Sequence, residues 1–184
     1  MDRPENVYDV PQGLPEPVDD GACDHLPGMR MPSVSLMSTA GDPVDLSTLT
    51  GTTVVYCYPL TGRPDQDLPP GWDDIPGARG CTPQSCAFRD HHAELKELGA
   101  RVFGLSTQDT AYQREAAGRL HLPFLLLSDE KLEFARALGL PTFQAEGMTL
   151  IKRLTLVIEE GEIKHVFYPV FPPGRNAEEV VRWL

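Results

Sequence analysis

Cys81 and Cys86 lie in the stretch Gly80-Cys81-Thr82-Pro83-Gln84-Ser85-Cys86, with four residues between them. Thiols react as thiolates, and a helix start favours that form through its unsatisfied N–H groups and positive macrodipole end. Thr82-Pro83 reads as a cap followed by a proline in the first turn, which puts Cys81 at such a start. The spacing is neither the two-residue gap of thioredoxin-type redox pairs nor a usual zinc-ligand spacing. Were both cysteines helical, their Cα atoms would stand roughly 8 to 9 Å apart. A disulfide tolerates no more than about 7 Å. A bond between them therefore requires the first turn to unwind, a local-unfolding step. The blander readings make Cys81 a half-buried loop cysteine and Cys86 a small apolar residue facing the core.

The other two cysteines read differently. Cys57 sits mid-run in Thr53-Val54-Val55-Tyr56-Cys57-Tyr58, as a buried inert thiol does. Cys23 lies in a polar stretch beside Asp24 and His25 and reads as a spectator or an intermolecular disulfide partner. The histidines at 25, 91, 92, 121 and 165 form no i,i+4 pair or metal-ligand repeat.

Elements that could position Cys81 are visible on either side of it. Thr53 to Tyr58 suits a central strand buried on both faces. Comparable runs follow at Arg101 to Leu105, Phe124 to Leu127, and Leu154 to Ile158, with Ile163 to Tyr168 returning after Glu160-Gly161. Ser33 to Met37 and Val44 to Leu46 alternate about a Gly41-Asp42-Pro43 turn, predicting an N-terminal hairpin. One helix is predicted from Thr82 to Leu98, with Phe88, His92, Leu95 and Leu98 on its inner face and Gly99 as its stop. Others are predicted at Thr110 to Leu120, Glu130 to Leu138, and Ala177 to Leu184 after an Asn176 cap. This order implies an α/β domain, a mixed central sheet flanked by helices, for which a thioredoxin-like fold is the natural candidate.

Two segments fit no element. Residues 1–28 are rich in Pro, Asp, Glu and Gly and read as a flexible or loosely packed extension, with one domain at 29–184. The Gly62 to Gly80 stretch, with Pro69-Pro70-Gly71 and Pro76-Gly77, reads as a long functional loop in which Trp72 is an anchor or a partner contact. The formal net charge of -11 repels phosphate backbones and anionic headgroups, which argues against nucleic acid and membrane partners. Met1-Asp2-Arg3-Pro4-Glu5 lacks a basic and an apolar leader region, and four cysteines are too few for a disulfide scaffold, so a cytoplasmic protein is expected.

Gly80-Cys81-Thr82-Pro83-Gln84-Ser85-Cys86-Ala87-Phe88-Arg89-Asp90 resembles the active-site segment of the Q-type, bacterioferritin comigratory protein-like peroxiredoxins of the AhpC/TSA superfamily. The likeness runs from about Pro32 through Trp183, taking in Leu105-Ser106, Leu122-Pro123-Phe124 to Ser128-Asp129, and Arg153 to Ile158. It implies a thiol-dependent peroxidase that works without cofactor or metal. Cys81 would attack hydrogen peroxide or an organic hydroperoxide and become a sulfenic acid. Cys86 would resolve it as a disulfide, which a thioredoxin-type donor would reduce. The family's Pro and Thr, seven and three residues before the first cysteine, are Asp74 and Ala78 here. Pro59 and Thr61 restore the pair if the Gly62 to Gly80 stretch is an insertion; otherwise Thr82 carries the nearest hydroxyl. The resemblance puts Arg153 beside the thiolate, with Lys152 and Arg79 competing, and implies a monomer or weak homodimer. A thiol-disulfide oxidoreductase and a copper-binding thioredoxin-like module using His165 are the alternatives.

Overall fold

The computed structural model describes residues 10–184. Its strands are β1 (Ser35–Ser38), β2 (Pro43–Asp45), β3 (Thr52–Cys57), β4 (Ala100–Ser106), β5 (Leu125–Ser128), β6 (Thr142–Ala145), β7 (Met148–Ile151), β8 (Leu154–Glu159) and β9 (Glu162–Phe167). Seven of them form one mixed sheet in the order β2-β1-β5-β4-β3-β8-β9, and β6 and β7 make a separate hairpin. Strands β3, β4 and β5 run parallel, while β8 lies antiparallel to β3.

The β-branched and aromatic run at β3 takes the centre because both its faces are covered, and alternate residues feed two cores. Val54, Tyr56 and Tyr58 pack with Cys81, Phe88 and Leu95 on the helical side, where α1 (Cys81–Asp90), α2 (His92–Glu97) and α5 (Asn176–Trp183) lie. Val55 and Cys57 face the other way, toward Leu26 and toward Phe134, Ala135 and Leu138 of α4 (Glu133–Leu138). The remaining helix, α3 (Thr110–Arg119), packs on β5. Helix α1 is registered on β3 by Phe88 stacking on Tyr56 at 4.5 Å and by Tyr56 Oη donating to Ser85 Oγ at 3.0 Å. Only glycine fits at 104, where a Cβ would come within 2.5 Å of Leu126 and 2.7 Å of the Tyr56 ring.

Four expectations change. The helix expected over Thr82 to Leu98 breaks at His91, so α2 restarts at His92, and Leu98 ends 48% exposed while Phe88 and Leu95 are buried. Asn176 is the first residue of α5 rather than its cap, since its side chain is turned inward to Thr155. The β6–β7 hairpin goes unread in the sequence because its residues are mostly exposed and its strands short. Residues 1–28 are expected outside the core, yet Leu26 and Cys23 are buried in it; single apolar residues in a polar stretch leave no periodic signature. Residues 1–9 of that segment lie outside the described residues.

The 62–80 stretch is pinned rather than loose. Trp72, in a 3-10 turn at Trp72–Asp74, is buried with Ala78 and Leu150 and meets the Phe143 ring at 5.9 Å, which fulfils the anchoring role. No described helix is long and apolar enough to cross a membrane.

Candidate active site

Cys81 is the first residue of α1, preceded by Gly80 in the left-handed region at φ 113°. Thr82 is therefore inside the helix and does not cap it. A side chain at Gly80 would be strained twice over, by that φ and by Pro173 Cγ, which would lie 2.3 Å from its Cβ. Gly80 so lets the start of α1 press against the C-terminal segment.

Arg153 stands in the link between β7 and β8 and reaches this helix start from the sheet. Its Nη2 donates to Cys81 Sγ at 3.2 Å, to Ala78 O at 3.0 Å and to Arg79 O at 3.4 Å. Its Nη1 donates to Gln84 Oε1 at 2.5 Å. Both residues are buried, Cys81 at 3% and Arg153 at 4% exposed, so the guanidinium acts on the sulfur with little water between them to screen it. As a thiol, Cys81 donates to Ala78 O at 3.8 Å. A guanidinium nitrogen and a helix N-terminus thus converge on one sulfur.

The competing cations have other work. Arg79 donates to both carboxylate oxygens of Asp73, at 3.1 and 3.3 Å, and is buried. Arg79 is thus held in place by this pair, within the segment that Trp72 anchors. Lys152 reaches outward to Asp20 at 3.5 Å.

A recess of about 10 Å³ lies over the sulfur, lined by Leu60, Gly62, Trp72, Arg79 and Thr82 with Cys81 itself. That is room for about one water. Thr61, buried between two lining residues, donates its hydroxyl to Gln108 Oε1 at 3.1 Å, and Pro59 is buried just before it. The structure thus brings Cys81, Arg153, Arg79 and Thr82 together, and sets the Pro59 to Thr61 segment at the edge of the recess.

Cys86 lies on the same helix, five residues on and about 140° around it at ~100° per residue. Both thiols are free. Burial pushes the Cys86 thiol up, opposed by the charges of Arg89 and Arg119. Burial also pushes Cys57 far up, and the Cys23 thiol up to about 12. His165, the histidine of the copper reading, is enclosed by the rings of Phe167 and Trp183. Three polar residues of the site escape a reading of the sequence. Gln84 is legible in principle, three residues after Cys81 on one helical face; Gln108 gives no signal, and Asn176 reads only as a helix cap, both being distant in sequence from Cys81.

The family description Redoxin matches residues 26–181, and chloroplastic peroxiredoxin Q of Sedum lineare is 34% identical over 159 residues, covering 85% of this chain and 76% of that protein. The chain belongs to the Redoxin family, on its peroxiredoxin Q branch. A putative chloroplastic peroxiredoxin Q from Oryza sativa subsp. indica is likewise 34% identical over 159 residues; the match covers 85% of this chain and 65% of the rice protein, just under two thirds of its length. Peroxidoxin BcpB from Mycobacterium tuberculosis superposes with a TM-score of 0.69 at 26% identity, over 86% of this Redoxin chain and 96% of that one. A cysteine-to-serine mutant of Xanthomonas campestris peroxiredoxin Q, at 19% identity, matches in fold with a TM-score of 0.64 over 93% and 95% of the two chains. These neighbours bear out the thioredoxin-like α/β architecture.

Proposed function

We propose that this chain is a thiol-dependent peroxidase that reduces hydrogen peroxide or an organic hydroperoxide at Cys81. The observation that carries this reading is Arg153 Nη2 at 3.2 Å from Cys81 Sγ, at the start of α1. The thiolate attacks the terminal peroxide oxygen; an S–O bond forms as the O–O bond breaks, and the departing alkoxide or hydroxide takes a proton to leave as alcohol or water. The guanidinium favours both the attacking thiolate and the departing oxygen. The recess over the sulfur, lined by Leu60, Gly62 and Thr82, is where the peroxide would dock.

Cys86 then attacks the Cys81 sulfenic acid, forming a disulfide and releasing water. The intact helix keeps the two sulfurs apart, so α1 must unwind first. A thioredoxin-type dithiol restores both thiols by exchange. Pro59 shields the sulfur, and Thr61 offers the peroxide its hydroxyl oxygen; their support is the recess lined by adjacent Leu60 and Gly62. Thr61→Val should slow the first oxidation more than Thr82→Val, and the reverse order would transfer the role to Thr82.

The working form is a monomer or weak homodimer: the exposed large apolar residues among those described, Val18, Met37, Leu98, Met148 and Trp183, are few and far apart in sequence. Sedimentation equilibrium tests this. Four cysteines, too few for a disulfide scaffold, support a reducing compartment, the cytoplasm, and the net charge of -11 argues against nucleic acid or lipid partners. Cell fractionation checks the compartment. The deciding experiment compares peroxide consumption by the protein and by Cys81→Ser with a dithiol donor. Equal consumption by the two overturns the reading, and reduction of protein disulfides without peroxide consumption would make the chain a thiol-disulfide oxidoreductase.

A further inference from the structure

Arg153 makes its four hydrogen bonds through Nη1 and Nη2. Its Nε is buried with no hydrogen-bond partner among the described residues, and two of its other contacts are backbone carbonyls of the 62–80 segment. Its one side-chain oxygen acceptor is Gln84 Oε1. An amide can turn either end outward, and the wrong end would set an NH2 against the guanidinium, donor against donor. Arg153 can only donate, so this bond needs the Gln84 oxygen toward it and an acceptor for the Gln84 NH2 on the other side.

That partner comes from the far end of the chain. Gln84 Nε2 donates to Asn176 Oδ1 at 3.0 Å, and Thr155 Oγ1 donates to the same oxygen at 2.6 Å. Asn176 and Thr155 are both fully buried. Asn176 Nδ2 has no partner among the described residues, so the side chain is held through its oxygen alone. The Thr155 hydroxyl, able to donate or accept, here donates and holds Asn176 Oδ1 in place; that oxygen takes the Gln84 NH2, and the Gln84 oxygen faces Arg153. Helix α5 and strand β8 thereby help hold the Gln84 oxygen against the arginine.

We propose that Asn176 is a positioning residue for Arg153, acting through the amide polarity of Gln84 and oriented by Thr155. The proposal rests on the peroxidase reading for its consequence, but alkylation of Cys81 by iodoacetamide reads it without any peroxide. Asn176→Leu should slow both the oxidation of Cys81 by hydrogen peroxide and its alkylation by about tenfold, the worth of one charge-assisted hydrogen bond. In a Gln84→Glu background the same Asn176→Leu change should alter neither rate by more than about twofold, because a carboxylate offers Arg153 an oxygen whichever way it turns. Thr155→Val, which keeps the packing, serves as the second probe. It should slow alkylation in the native background and not in the Gln84→Glu one. Equal losses in both backgrounds would make Asn176 a packing residue and overturn the proposal, as would rates unchanged in the native background. Failure of the peroxide reaction with the alkylation pattern intact would instead sink the peroxidase reading alone.

Discussion

Cys57 and Cys81 are buried alike, at 0% and 3% exposed, on opposite sides of the same sheet. Cys57 ends a central strand among Leu, Ile and Phe side chains; burial, then the Asp129 carboxylate, pushes its thiol far up. Cys81 meets a helix N-terminus and the Arg153 guanidinium. Burial disfavours a thiolate only where nothing compensates the charge, so depth separates these cysteines far less than the donors aimed at each sulfur.

The sharpest break between them is substitution. Cys81→Ser should remove peroxide consumption altogether, whereas Cys57→Ala should keep the rate within about twofold and cost about 1 kcal/mol of stability in a denaturant titration. Loss of activity in Cys57→Ala at full stability would put the chemistry on the wrong face of the sheet.

Next in size is the guanidinium that makes the difference. Arg153→Met should slow Cys81 oxidation about a hundredfold, the usual loss of one oxyanion donor. Arg79→Met should slow it far less, because Asp73 already holds that charge, although stability will fall. Stopped-flow rates under equal folding, checked by circular dichroism, decide between them.

A gentler effect concerns the third thiol. Cys86→Ser should leave the first oxidation fast and let dimedone trap a sulfenic acid at Cys81. In the folded helix the Cys86 thiol is raised by burial; in the opened helix it returns to its ordinary value. Opening therefore releases a proton once pH climbs past that ordinary value, so the unwound form gains ground as pH rises. Disulfide formation should accelerate with alkali by more than thiolate content alone explains, measured by mass spectrometry of quenched samples. A flat profile would argue against opening as the gate.

The smallest effect applies the same lesson to a base. Burial lowers the His165 imidazole below its ordinary value, against the rings of Phe167 and Trp183. Unfolded His165 takes a proton as pH falls through about 6.5, which the folded residue resists, so stability should decline with acid. His165→Phe, which keeps a ring in the stack, should flatten part of that slope in thermal melts.

Much of this is readable from the chain. The β3 run announces a strand buried on both faces, and Gly80-Cys81 next to Thr82-Pro83 announces a helix start, because both are local patterns of residue type. Arg153 comes only through the family likeness, since its approach to Cys81 spans the sheet. Gln84, Asn176 and Thr155 meet through three separate elements, and no local pattern encodes such a meeting. The break at His91 is hidden because Phe88 and Leu95 keep helical spacing across it. Leu26 shows the converse: a single leucine in a polar stretch is buried by what folds over it.

Trp72 has a practical consequence. Its indole is buried and borders the recess over Cys81, within the 62–80 segment. The other tryptophan, Trp183, is 41% exposed and stacked on His165. The protein thus carries two fluorophores in unlike surroundings. Emission from Trp72 should begin blue and move red when its segment lifts, while Trp183 starts redder and answers to acid. Trp183→Phe would leave a single native lamp over the reactive sulfur, able to time each opening without any added dye.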